Sequence, residues 1–105
     1  GKMKEFQKAI ADDADFKDTI AGEHVFVEIH QSWSGPCECV KPLLYRVFLD
    51  KEEIKFCTAP ADKIQSLKEF KDKIKPVFIY YKKGAEKKRI EGVNTPEIQK
   101  LLDNI

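Results

Sequence analysis

Two stretches constrain this chain more than any others: HVFVEIH over residues 24–30 and PVFIYY over residues 76–81. Both are nearly unbroken runs of β-branched and aromatic side chains. A strand sends successive side chains to opposite faces, so a run with no polar alternation has to be covered on both sides. Within the first run Val25, Val27 and Ile29 project one way, and Phe26 and Glu28 the other.

The covering layers come from helical patterns between the strands. Asp12-Asp13 supply an N-cap and dipole-matched acids for a short helix ending near Gly22, with Phe16 and Ile20 on its buried side. Residues 35–50 place Val40, Leu43, Leu44, Val47 and Phe48 on one apolar stripe, with Pro42 inside the helix and expected to kink it. IKFCTA, 54–59, alternates like a strand, and Ile64, Leu67, Phe70 and Ile74 follow at helical spacing. KKG then turns PVFIYY into a hairpin whose returning strand is 85–91. Residues 4–10 read as a first strand. Thr95-Pro96 reads as an N-cap followed by proline, opening a helix whose stripe is Ile98, Leu101, Leu102 and Ile105. The order is β-α-β-α-β-α-β-β-α, an α/β fold with a central mixed sheet flanked by helices.

With 105 residues, the chain is expected to be one domain around one core. Its 19 basic and 18 acidic residues leave a net charge of +1, which gives no footprint for nucleic acid or an anionic membrane. No apolar run approaches the roughly 20 residues that a bilayer requires, and the opening GKMKEFQKAI reads as free of a signal-peptide core. Three cysteines, an odd count, argue against a secreted disulfide framework and for a reducing, cytoplasmic setting.

The chemistry concentrates in QSWSGPCECVKPLL, residues 31–44, at a strand-to-helix junction. Ser34 is placed to cap the helix by accepting from the Cys37 N–H, a contact worth about 1 kcal/mol. At roughly 100° per residue, Cys37 faces the core with Leu44 and Phe48 while Cys39 lies roughly 200° around. A disulfide needs Cβ atoms about 3.8 Å apart, so none is expected between them. Cys57, mid-strand, reads as a small core residue. His30, Cys37 and Cys39 lack the paired C-x-x-C spacing of zinc sites, so no metal and no cofactor is expected; His24 and His30 read as solvated strand ends. Trp33, a large aromatic in an exposed turn, suits a partner anchor.

These features together resemble the thioredoxin family over essentially the whole chain. Trp33-Ser34-Gly35-Pro36-Cys37 matches the family's Trp-Cys-Gly-Pro-Cys turn except at one position. Pro42 matches the proline that kinks the family's second helix, and Lys75-Pro76 its cis-proline. Gly84 and Gly92 fall at its hairpin turn and in the lining of its substrate groove. The resemblance implies a groove formed by Trp33, Gly35, Pro36, Lys75, Pro76, Gly92 and Val93. It also implies that a thiolate at position 34 would attack a substrate disulfide and that Cys37 would resolve it. Serine cannot perform that attack, because exchange needs a thiolate. Glu28 stands where the family has a buried aspartate, and Cys57-Thr58 where its partner lysine is expected.

The turn and the EGVNTP segment, 91–96, are more specifically similar to the thioredoxin-like light chains of axonemal outer-arm dynein. That resemblance implies a non-catalytic subunit bound to a dynein heavy-chain tail in the axoneme of a cilium or flagellum. Three alternatives stay open on the residues: a thiol–disulfide oxidoreductase, a monothiol redox sensor acting through Cys37, and an engineered Cys→Ser change at Ser34.

Overall fold

A computed structural model describes residues 5–105, and it sets the two apolar runs side by side at the centre of a five-stranded sheet. The first run is β2 (Val25–His30) and the second is β4 (Val77–Lys82), paired antiparallel with Val27 opposite Ile79. On its other side β2 pairs in parallel with β3 (Lys55–Pro60), Val27 lying opposite Cys57. A two-residue β1 (Lys8–Ala9) adds in parallel to β3 at one edge, and β5 (Ala85–Glu91) adds antiparallel to β4 at the other. The order is β1-β3-β2-β4-β5, a mixed sheet as expected. The first strand is shorter than the 4–10 expected for it, and residue 4 lies outside the described residues.

Side-chain alternation along β2 divides the core in two. Val25, Val27 and Ile29 join Phe16 of α1 (Asp13–Ile20) with Ile64, Leu67 and Phe70 on one face. Phe26 joins Phe56 and Phe78 with Leu44 of α2 (Lys41–Asp50) and Ile98 and Leu102 of α3 (Thr95–Asp103) on the other. Phe26 sits between the other two rings, 5.8 Å from Phe56 and 5.9 Å from Phe78 by centroid.

Three expectations need correction. No α-helix covers 64–74; the segment holds one 3₁₀ stretch, Gln65–Phe70, preceded by another at Ala61–Lys63. Ile64, Leu67 and Phe70 are spaced by three, the repeat of a 3₁₀ turn rather than of an α-helix. Ile74 lies past the end of that repeat and is 95% exposed. The second helix begins at Lys41, with Pro42 in its first turn, instead of running from 35 with a central kink. A first-turn proline disturbs nothing, because its missing N–H would have had no intrahelical partner. The cap of α3 is Asn94, whose side chain accepts from the Glu97 N–H at 3.2 Å, and Thr95 is the first helical residue.

Candidate functional site

The site is assembled where β2 ends and the chain reverses ahead of α2. The Gln31 carbonyl accepts from the Ser34 N–H at 3.1 Å and the Gly35 N–H at 3.0 Å, which closes the turn. Gly35 holds φ +71°, a left-handed conformation that a Cβ would strain even though the space around it is open. The Gln31 side chain is buried; its Nε2 donates to the Phe70 carbonyl at 2.8 Å and its Oε1 accepts from the Asp72 N–H at 3.0 Å. Ser32 donates to Asp62 from its backbone at 2.8 Å and from its hydroxyl at 2.5 Å, holding that carboxyl below the usual range. The turn is thus tied to both 3₁₀ stretches of the layer beside it. Neither Gln31 nor Asp62 was singled out from sequence, where each reads as an ordinary polar residue near a strand end.

Ser34 does not cap a helix. It is exposed, and its hydroxyl donates back to the Gln31 carbonyl at 3.1 Å. The Cys37 N–H that it was expected to satisfy is bound by Glu28 Oε2 at 2.5 Å. The cause is local: Cys37 is extended (φ −76°, ψ 119°), Glu38–Val40 makes one 3₁₀ turn, and α2 starts only afterwards. Glu28 rises from the middle of β2 and is fully buried. Burial pushes its pKa up, against the pull of the Cys37 N–H, the nearby Gln7 amide and the Lys41 charge. Its Oε1 and Gln7 Nε2 both lack a hydrogen-bond partner, so the carboxyl is only half satisfied.

The same non-helical geometry overturns the expected separation of the two neighbouring cysteines. Cys37 is half-buried, Cys39 is exposed, and their Sγ atoms lie 2.8 Å apart. The estimate of roughly 200° assumed an α-helix, which this segment is not. Cys57 does sit in the core, on the opposite face of the sheet, where burial pushes its thiol up to about 11. His24 and His30 are half-buried and bonded rather than solvated: His24 Nδ1 lies 2.7 Å from the Tyr80 hydroxyl and His30 Nδ1 3.0 Å from the Gln31 carbonyl. Among the described residues no group of three or more His, Cys, Asp or Glu is placed to hold a metal ion. Nor does any described helix have the length and apolarity to cross a membrane.

Ser34, Gly35, Pro36 and Cys37 line one side of a cleft of about 190 Å³, and Lys75, Pro76 and Val93 line the other. It adjoins a second, shallower cleft of about 550 Å³ that includes Gly92 and shares Ile74, Lys75, Pro76 and Val93. Gly92 holds φ +79°, and its N–H donates to the Pro76 carbonyl at 2.7 Å, which ties together the wall formed by Lys75, Pro76 and Val93. Pro76 departs from expectation, since no peptide bond among the described residues is cis. The two isomers before proline differ by only about 0.5–1 kcal/mol, so the residue type does not choose between them. Trp33 (70% exposed) stands on the turn outside the cleft wall; Ile74 and Val93 (45% exposed) add further exposed apolar surface along the wall. Ile74 is the residue that sequence reasoning missed, because an isoleucine four positions after Phe70 reads as core. What the cleft offers chemically is an oxygen at its mouth and one half-buried sulfur below it.

The thioredoxin family model matches residues 7–104. The chain is 31% identical over 105 residues to the 14 kDa light chain of flagellar outer-arm dynein from Chlamydomonas reinhardtii, covering 95% of this chain and 81% of that protein. It is 39% identical over 103 residues to the 16 kDa outer-arm dynein light chain of the same organism, covering 91% of this chain but 66% of that protein. In structure it is similar to mitochondrial thioredoxin 3 of Saccharomyces cerevisiae, with a TM-score of 0.77 over 94% of this chain and 95% of the other. At 20% identity that likeness speaks for the fold alone.

Proposed function

We propose that this chain, which belongs to the thioredoxin family, serves as a docking light chain of an outer-arm dynein complex and not as a free disulfide reductase. The observation that carries the non-catalytic half is Ser34. Its oxygen occupies the mouth of the cleft, bonded to the Gln31 carbonyl, where the family's mechanism needs a thiolate. A hydroxyl is far too weak an acid to attack a disulfide, and an S–O bond does not substitute for a mixed disulfide.

The docking half rests on the two outer-arm light chains and on the surface that remains. Clefts of this family hold extended peptide through main-chain hydrogen bonds, with side-chain pockets adding specificity. Here Ile74 and Val93 present apolar surface along that path and exposed Trp33 stands on the neighbouring turn, and tryptophan is over-represented among residues that dominate binding energy. Without sulfur at position 34 a segment seated there is neither captured nor released by exchange at that position. The partner is a dynein heavy-chain segment, and the setting is the axoneme.

Reduction of insulin by dithiothreitol tests the reading. The chain as it stands gives no turnover above the uncatalysed rate, whereas Ser34→Cys restores the Trp-Cys-Gly-Pro-Cys turn and gains at least about 100-fold, the scale of one missing catalytic interaction. In parallel, the chain co-sediments with extracted outer-arm dynein and stays bound in reductant. Robust insulin turnover by the unaltered chain, or its loss from the complex on reduction, would overturn the proposal.

A further inference from the structure

We infer that Cys37 and Cys39 form a reversible intramolecular disulfide, a redox site displaced by one step along the chain from position 34. The inference rests on the geometry of this segment and is independent of the docking reading. The two Sγ atoms are 2.8 Å apart, against roughly 2.05 Å in a disulfide, so closure requires a movement of about 0.8 Å. Cα atoms two residues apart stay about 5–7 Å from one another in any allowed backbone, within the span a disulfide tolerates. What an α-helix would forbid is the direction of the side chains. Here Cys37 is extended and lies just ahead of the 3₁₀ turn that carries Cys39, not in an α-helix with it, and the two sulfurs face each other.

The surroundings suit exchange chemistry. Cys37 lines the cleft with Pro36 and Pro76, while Cys39 is open to solvent. Against this, the hydrogen bond between the sulfurs and then desolvation raise the Cys39 thiol above its ordinary range, which lowers its thiolate fraction. A shared metal ion fits less well. Two thiolates on a tetrahedral ion, each at about 2.3 Å, stand nearly 4 Å apart, and the described residues add no further ligand group.

The co-reactant is the disulfide of a small thiol, R–S–S–R. One thiolate of the pair attacks a sulfur of R–S–S–R; a mixed disulfide forms and RS⁻ leaves. The second cysteine, deprotonated in turn, attacks the sulfur of the first and expels the second RS⁻. The cysteine pair loses two protons and two electrons, and R–S–S–R becomes two R–SH. An excess of thiol runs the sequence backwards. A bond across so short a loop, at an exposed position, belongs with the labile and regulatory disulfides rather than the structural ones.

Equilibration of the purified chain with glutathione and its disulfide at graded ratios, followed by acid quench, alkylation and peptide mass analysis, tests this. As the ratio turns oxidising, Cys37 and Cys39 become protected from alkylation together, at least about tenfold, with no glutathione retained, and excess reduced glutathione restores them. Cys57 is unchanged throughout. The Cys37→Ser and Cys39→Ser variants each stop at a glutathione adduct on the remaining cysteine. Retention of glutathione on Cys37 or Cys39 in the unaltered chain, a linkage between two chains, or two thiols that stay freely alkylatable would each overturn the inference. Insulin turnover by the unaltered chain that Cys39→Ser abolishes would leave this inference standing and overturn the non-catalytic reading, so the two fail separately.

Discussion

Glu28 is the one buried charged residue among those described, and it lies between the sheet and the turn that carries the cysteines. Its pKa is raised above the ordinary 4.5, so between those two values the folded state binds more protons at this site than the unfolded state. Stability then falls as pH rises through that window. The contribution of Glu28 is fully present below pH 4.5 and is lost as pH climbs through the folded value. At neutral pH the carboxylate is a net cost. Glu28→Gln keeps an oxygen for the Cys37 N–H and removes the charge, so it is expected to stabilise the fold at pH 7 by about 1 kcal/mol. The advantage shrinks towards pH 4. Urea unfolding of both proteins across pH 4–8 checks it; a difference that does not vary with pH would contradict it. Asp13, Asp15 and Asp62, held below their usual range by Ser66, Lys8 and Ser32, push acid stability the opposite way. They are common to both proteins and cancel in the comparison. At this scale the residues of the cleft were legible because a short motif fixes what sits on either side of the turn. The contact between Cys37 and Cys39 was not, since it depends on backbone angles at one residue that spacing does not encode.

Helix boundaries show how competition for single N–H groups decides where an element begins. A serine three positions before Cys37 and a threonine before Pro96 are both good cap sequences, yet neither caps. In the first case Glu28 takes the Cys37 N–H, and the helix opens four residues later with Pro42 already in its first turn. In the second, Asn94 precedes Thr95 and accepts from Glu97, so the cap moves back by one. Asn94→Ala is therefore expected to cost about 1 kcal/mol, while Thr95→Ala stays within about 0.5 kcal/mol. Urea midpoints at constant slope measure both, and the reverse ranking would return the cap to Thr95. The four longer strands were legible nearly to the residue, because runs such as PVFIYY suit a sheet covered on both faces, whereas the first strand is Lys8–Ala9 and not the expected 4–10. The 3₁₀ layer was not, as Ile64, Leu67 and Phe70 satisfy a three-residue repeat and an approximate helical one alike.

For the whole molecule the sheet acts as a partition. Ile64 belongs to the cluster shared with α1, and Ile98 to the cluster shared with α2 and α3. Each is almost entirely buried, at 1% and 0% exposure. Layers packed on opposite faces of a sheet stand about 10 Å from it on each side, so the two side chains share no packing partner across it. Ile64→Val and Ile98→Val each remove one methyl from a filled core and should cost about 0.5–1.5 kcal/mol. Because the sites are far apart, the double variant should equal the sum within about 0.5 kcal/mol. Yet β2, β3 and β4 send side chains into both clusters, so neither half can unfold while the other stays folded. The double variant should accordingly keep a single transition with an unchanged denaturant slope. Additive energies within one cooperative transition are what a shared wall between two separately packed layers requires. A second transition in the urea curve, or a coupling well above 1 kcal/mol, would mean that the layers either unfold independently or repack through the sheet.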